Sequence, residues 1–262
     1  MINMEGRTAR LVLMFVACAI WGQTEGIAFP SNNSLYGHEA DQGEFPWQVA
    51  LFNYGPDQDT FLCGGAIISP SWILTTAHCC NRSETLRVYS GAISKSRPAN
   101  VHEVERVTFH PDYSPSSSGL LNNIALIKLK YDIEPHLLAS PIILSETPIS
   151  NSTPGELAGW GYDRYEGNEF PDRLRVSSMN VIDTEGCRSL ITSLPEDNFC
   201  ATNPGTGTCF GDEGSTFVIQ GVLSGLVGFY SDYCTLNNFP SSFVDVYYHR
   251  NWIRFVTGIK KY

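Results

Sequence analysis

The chain has 262 residues, 42% of them hydrophobic, with 23 glycines, 15 prolines, a net charge of −10 and a pI near 5.0. That length buries a core without help from a metal, and the acidic balance excludes nucleic acid and anionic membrane as partners, since both require basic surface. Glycine and proline scattered between short β-branched runs indicate a turn-rich, all-β chain.

At the N-terminus Arg7 and Arg10 precede the apolar run Leu11–Trp21 and a small, polar stretch, the make-up of a signal peptide cut between Ala19 and Gly26. The run is too short for a membrane anchor, which needs roughly 20 apolar residues. The chain thus reads as a signal peptide over 1–26, a short polar segment over 27–34 and one domain over 35–262, secreted and extracellular. Of eight cysteines, Cys18 falls in the leader, which leaves Cys63, Cys79, Cys80, Cys187, Cys200, Cys209 and Cys234. An oxidising compartment makes disulfides the default, and the odd number leaves one thiol over. Sequons at Asn32, Asn81 and Asn151 mark candidate glycosylation sites.

From Leu35 onward, strand-like runs recur at 47–52, 61–68, 72–75, 86–90 and 124–129. A second set follows the proline-marked stretch 131–148, at 155–159, 174–182, 216–219, 222–230 and 242–247. Two groups of short strands suggest a double barrel or a sandwich. The last segment, 248–259, places Trp252, Ile253 and Val256 at helical spacing and predicts a terminal amphipathic helix. No cluster of metal ligands and no cofactor motif is expected.

The runs FPWQVAL (45–51), CGGAIISPSWILTTAHCC (63–80), NNIALIKL (122–129), AGWG (158–161) and CFGDEGST (209–216) together resemble the chymotrypsin/trypsin family of serine proteases, in the family's order. The resemblance covers roughly 35–258 and implies two six-stranded antiparallel β-barrels with the cleft between them and a C-terminal α-helix. It also implies the pairs Cys63–Cys79, Cys187–Cys200 and Cys209–Cys234. Cys80 is then unpaired, either a buried thiol or a bond to another molecule.

The family's chemistry needs a hydroxyl nucleophile, an imidazole base, an orienting carboxylate and an oxyanion hole. The resemblance places His78 at the base, Asn123 where the family has aspartate, Glu213 where it has serine, and Gly211 at the oxyanion-hole amide. Loss of the aspartate costs about 10⁴ in turnover and loss of the nucleophile about 10⁶ in members of this family. Ser215 lies too far along the chain to substitute. A charge-assisted hydrogen bond from Glu213 to His78 is expected instead. The specificity pocket is altered at Gly207, Tyr230 and Ser241, and the usual S-W-G strand reads Gly228–Phe229–Tyr230. The activation motif reads Leu35–Tyr36–Gly37–His38 with no Lys or Arg in 23–34, which predicts a single uncut chain.

These substitutions lead to the expectation that the chain is not an enzyme. It resembles the secreted, inactive serine protease homologues of arthropod fluids such as haemolymph, venom or seminal fluid. Such a protein acts by binding an extracellular protein, as a regulatory cofactor, decoy or adaptor. A serine-type endopeptidase-like hydrolase with residual or unorthodox activity is the alternative, and a storage or secretion component a third. Phe210, Phe229 and Tyr230 form either a binding surface or a self-filled pocket.

Overall fold

A computed structural model describes residues 37–81, 85–91, 93–116, 119–162, 169–229, 234 and 239–260. The expected signal peptide, the segment 27–34, Leu35, Asn32 and Tyr230 lie outside the described residues. So do the side chain of Phe229 and most of the loop ahead of Ser241. Residues 33–262 form one compact unit.

In chain order, β1 (His38–Glu39) precedes β2 (Gln48–Asn53), β3 (Thr60–Ser69), β4 (Trp72–Thr75), α1 (Ala77–Cys80), β5 (Leu86–Ser90) and β6 (Asn100–Phe109). A hairpin of β7 (Ser114–Ser116) and β8 (Gly119–Leu121) leads to β9 (Ala125–Leu129) and β10 (Ile143–Leu144). There follow β11 (Pro154–Gly159), β12 (Arg175–Ile182), α2 (Thr184–Leu190), β13 (Asn198–Thr202), β14 (Thr216–Ile219), β15 (Val222–Phe229), β16 (Ser241–Asp245) and α3 (Val246–Thr257). The first barrel closes in the order β2-β3-β4-β9-β6-β5. The second runs β12-β11-β14-β15-β16-β13 and closes through β12 and β13, with β1 and β10 added at its margins. The molecule has the double-barrel, all-β architecture with a C-terminal helix that the resemblance implies.

Strand pleat decides which side chain fills which core. On β9, Ala125, Ile127 and Leu129 enter the first barrel, while Leu126 between them turns toward the second. On β4, Ile73 points in and Trp72 and Leu74 point out. Both faces are buried, which is why these strands read as near-continuous apolar runs. The second barrel is filled by aromatics: Phe217 lies 4.6 Å from Phe243 and Phe199 5.3 Å from Phe243, between ring centroids. Between the barrels, Ala66, Ile68, Leu74 and Leu126 meet Val218, Leu226 and Val244, with Ile253 of α3 in the same cluster.

The terminal helix begins two residues earlier than its apolar spacing predicts, because Asp245 caps it. Its Oδ1 accepts the N–H groups of Tyr247 and Tyr248 at 2.8 and 3.3 Å. Gly258, at φ 72°, closes the other end in the left-handed region. Barrel strands β6 and β13 were not among the predicted runs. The former is mostly exposed and carries His102, Glu103, Glu105 and Arg106. The latter is only five residues long.

Truncation of Leu126, which is fully buried, is expected to cost about 2–5 kcal/mol in urea unfolding, whereas truncation of Phe255, 88% exposed, should stay within about 0.5 kcal/mol. A second expectation concerns pH. Burial lowers His102 from its ordinary 6.5, and burial followed by the neighbouring His249 lowers His110. The unfolded chain therefore takes up these protons first, so stability contributed above 6.5 declines as pH falls through the lowered values. The urea midpoint should drop as pH falls below 6.5, and a His102→Gln/His110→Gln variant should flatten that drop.

Candidate active site

The histidine of the TTAHC motif sits on α1, immediately after β4, and is only 8% exposed. The Cys63–Cys79 disulfide ties this single turn of helix to β3. Asn123 is 1% exposed and precedes β9. Its Oδ1 accepts the backbone N–H of His78 at 3.0 Å, and its Nδ2 donates to the Gly228 carbonyl at 3.0 Å. The amide is thus oriented from both ends. His78 Nδ1 lies 3.1 Å from Oδ1 and 2.9 Å from Nδ2, so asparagine serves either ring tautomer, where a carboxylate could only accept. Gly228 stands where the family pattern has serine. With no hydroxyl there, the donor to this corner comes from Asn123 itself.

The turn that carries Glu213 is built around Asp212. Its Oδ1 accepts the Gly161 N–H and its Oδ2 the Cys209 N–H, both at 2.8 Å. A Cβ on Gly159 or Gly161 would run into this carboxylate, which explains both glycines of AGWG. The Cys209–Cys234 disulfide anchors the loop, and Cys187–Cys200 joins α2 to β13, so the structure holds the three pairs the resemblance implies.

Glu213 is 2% exposed. Its Oε2 accepts the Gly211 N–H at 2.8 Å, and its Oε1 lies 3.9 Å from His78 Nε2. The expected hydrogen bond to His78 is therefore replaced by a Coulombic contact, since 3.9 Å exceeds hydrogen-bond reach. The carboxylate has turned toward the backbone amide. A carboxyl oxygen of Glu213 thus occupies the amide that the resemblance assigns to the developing oxyanion. Gly211 has φ 93°, and a Cβ there would meet the ring of Phe170.

Ser215 is fully buried and takes no part: its Oγ lies 3.5 Å from Gln48 Nε2 and against Gly64. At the expected pocket, Gly207 is buried and Ser241 Oγ accepts the Thr208 N–H at 3.0 Å, so this hydroxyl closes on its own wall. Phe210, 37% exposed, packs with Tyr162 and Phe170 at centroid distances of 5.6 and 5.5 Å. Phe170 belongs to no motif, and nothing in its sequence neighbourhood announced that it would reach Gly211. Cys80 is a buried thiol, 4% exposed, and burial pushes it up to about 12, which leaves it unreactive. Asn81 and Asn151 are exposed. Cys63, His78 and Cys79 come close enough to suggest a metal site, but the two sulfurs are bonded to each other.

Two closed antiparallel barrels, with a buried histidine of one facing a glycine-bounded turn of the other, define the double-barrel protease class. The family model for trypsin matches residues 35–253. Thrombin-like enzyme elegaxobin-1 of Protobothrops elegans is 28% identical over 83% of this chain and 93% of its own. Trypsin alpha of Drosophila erecta is 28% identical over 93% of this chain and 95% of its own. Among solved structures, neuropsin, a serine protease expressed in the limbic system of mouse brain, superposes with a TM-score of 0.77, at 26% identity, covering 84% of this chain and 98% of that one. The chain belongs to the trypsin family.

These comparisons correct the expectation that the chain is not an enzyme. The relatives carry the names of active trypsin-type proteases, and family and fold together point to a serine protease. The physical reason the expectation overreached is quantitative. Members of this family stripped of triad side chains still retain about 10³–10⁴-fold catalysis over water, from substrate binding and the oxyanion hole. Substitutions at two positions therefore argue for a lower rate and do not argue for none.

The Asn123–Gly228 contact yields a stability test. Asn123→Asp would set a carboxylate oxygen against the Gly228 carbonyl and remove that carbonyl's donor, so it should destabilise by about 1–3 kcal/mol in urea unfolding.

Proposed function

We propose that this chain is a secreted, trypsin-type endopeptidase-like hydrolase working at residual rate, with the Glu213 carboxylate and the His78 imidazole activating water in place of a serine hydroxyl. Family membership and the names of its relatives support a peptide-bond hydrolase. The observation that carries the unorthodox form is the buried contact of 3.9 Å between Glu213 Oε1 and His78 Nε2. A water beside this pair gives its proton to His78 Nε2, and its oxygen adds to the peptide carbonyl carbon. The tetrahedral adduct then expels the amine, which leaves with that proton. One water is consumed, and one carboxyl and one amine are formed.

The same geometry explains why the rate is low. The Gly211 N–H is engaged by Glu213 Oε2, so stabilisation of the adduct requires this carboxylate to yield the amide. A second reading, that the cleft holds an extracellular protein as cofactor, decoy or adaptor, draws on this internal occupation and on the half-exposed aromatics Tyr162, Phe170 and Phe210. Secretion is supported by the leader-like N-terminus and by a relative named as a snake venom serine protease. Among the described residues no helix is long and apolar enough to cross a membrane.

A fluorogenic peptide panel tests the hydrolase. Turnover on the order of 10⁵–10⁶ below that of an intact triad is expected, and it should fall about tenfold or more in His78→Ala and in Glu213→Ala prepared in parallel. Wild-type turnover no greater than that of His78→Ala would refute the reading.

A further inference from the structure

On the far side of Asn123 the chain buries a second carboxylate–imidazole pair. Asp197, just ahead of β13, is 1% exposed, and His249, on α3, is 2% exposed. Asp197 Oδ2 lies 2.9 Å from His249 Nε2 and accepts the backbone N–H of Asn122 at 2.9 Å. The backbone carbonyl of Asp197 accepts the N–H of Asp245, the cap of α3, at 2.9 Å. One residue thereby joins β13, the terminal helix and the corner that precedes β9.

That corner is strained and specific. Asn122 has φ 51°, in the left-handed region that costs a non-glycine residue about 1 kcal/mol or more. Its carbonyl accepts the Ile124 N–H at 2.7 Å, closing a three-residue turn with Asn123 at the centre. Its side chain donates to the Asp112 carbonyl at 3.1 Å. Asp197 also carries a cost: its Oδ1 is buried and has no hydrogen-bond partner among the described residues. A buried carboxylate with an unbonded oxygen needs compensation, which the imidazole and the corner amide supply. Among the described residues, further polar neighbours are His110 and Tyr248, whose rings lie 5.3 and 5.0 Å from that of His249, then Asp112, Asp245 and Glu196.

We infer that the Asp197–His249 pair is a positioning device for the active site: it holds the Asn122 corner from the second barrel and so sets Asn123 between the His78 N–H and the Gly228 carbonyl. The clamped amide belongs to Asn122, the residue immediately before the one whose side chain touches His78. A corner released from Asp197 relaxes toward ordinary backbone angles, which swings Asn123 away from both of its partners. The inference concerns geometry at His78 and holds whichever reaction the cleft performs.

The test is a proton NMR titration of the His78 ring in the full-length secreted protein. Asp197→Ala removes the acceptor for Asn122, and the His78 midpoint should move by about half a pH unit or more. Asp197→Asn keeps an acceptor oxygen in place and should restore the wild-type midpoint. A merely structural role would lower the unfolding temperature of Asp197→Ala while leaving His78 where it was. Should Asp197→Ala fail to fold, His249→Ala, which strips Asp197 of its counterpart, carries the same readout. A folded variant of either kind whose His78 titration coincides with wild type overturns the inference.

Discussion

The Gly64 N–H donates to the Glu213 carbonyl at 2.8 Å, main chain to main chain across the two barrels. The approach this demands leaves no room for a Cβ at Gly64, where it would strike Ser215, or at Gly214, where it would strike the Gly64 carbonyl and Thr75 Oγ1. Thr75 Oγ1 also donates to that carbonyl at 2.8 Å, and Gln48 reaches across to the Thr216 hydroxyl at 2.7 Å. Position 213 is therefore placed opposite His78 by backbone contacts and glycines. The side chain it carries has no say in where it stands, so a glutamate is accommodated there without disturbing the seam.

A single rule organises the buried charge of the second barrel. Asp212 is held by two backbone amides, Glu213 by one amide with an imidazole beyond it, and Asp197 by one amide and one imidazole. Each carboxylate thus accepts at least one peptide N–H. Asp212 shapes the loop, Glu213 fills the amide that the loop presents, and Asp197 steadies the corner facing it. The cleft is thus preorganised around negative charge supplied by the protein itself.

Much of the architecture was legible in the chain. Apolar runs located β2, β4, β14 and β15 within a residue or two, because strands buried on both faces leave continuous hydrophobic segments. The exposed strand β6 and the short strand β13 left no such trace, since pairing with neighbouring strands of their own barrels creates them. His78, Asn123 and Glu213 were brought together as the motifs implied. Phe170 over Gly211, the Gly228 carbonyl beneath Asn123 and Asp197 behind Asn122 were not foreseen, because each contact joins residues 41 or more positions apart (170 to 211 is the shortest).

The sequence by itself determined which chemical groups stand at the site, which cysteines could pair and which faces of the strands are apolar, because these follow from residue identity and short-range periodicity. The tertiary structure decided what those groups do to one another. It sent the Glu213 carboxylate to the Gly211 amide at 2.8 Å and left 3.9 Å to His78, and it turned Asn123 by giving its Nδ2 the Gly228 carbonyl. The physical reason is that a buried polar group takes whichever partner the closed barrels bring within reach, and chain order does not specify that partner.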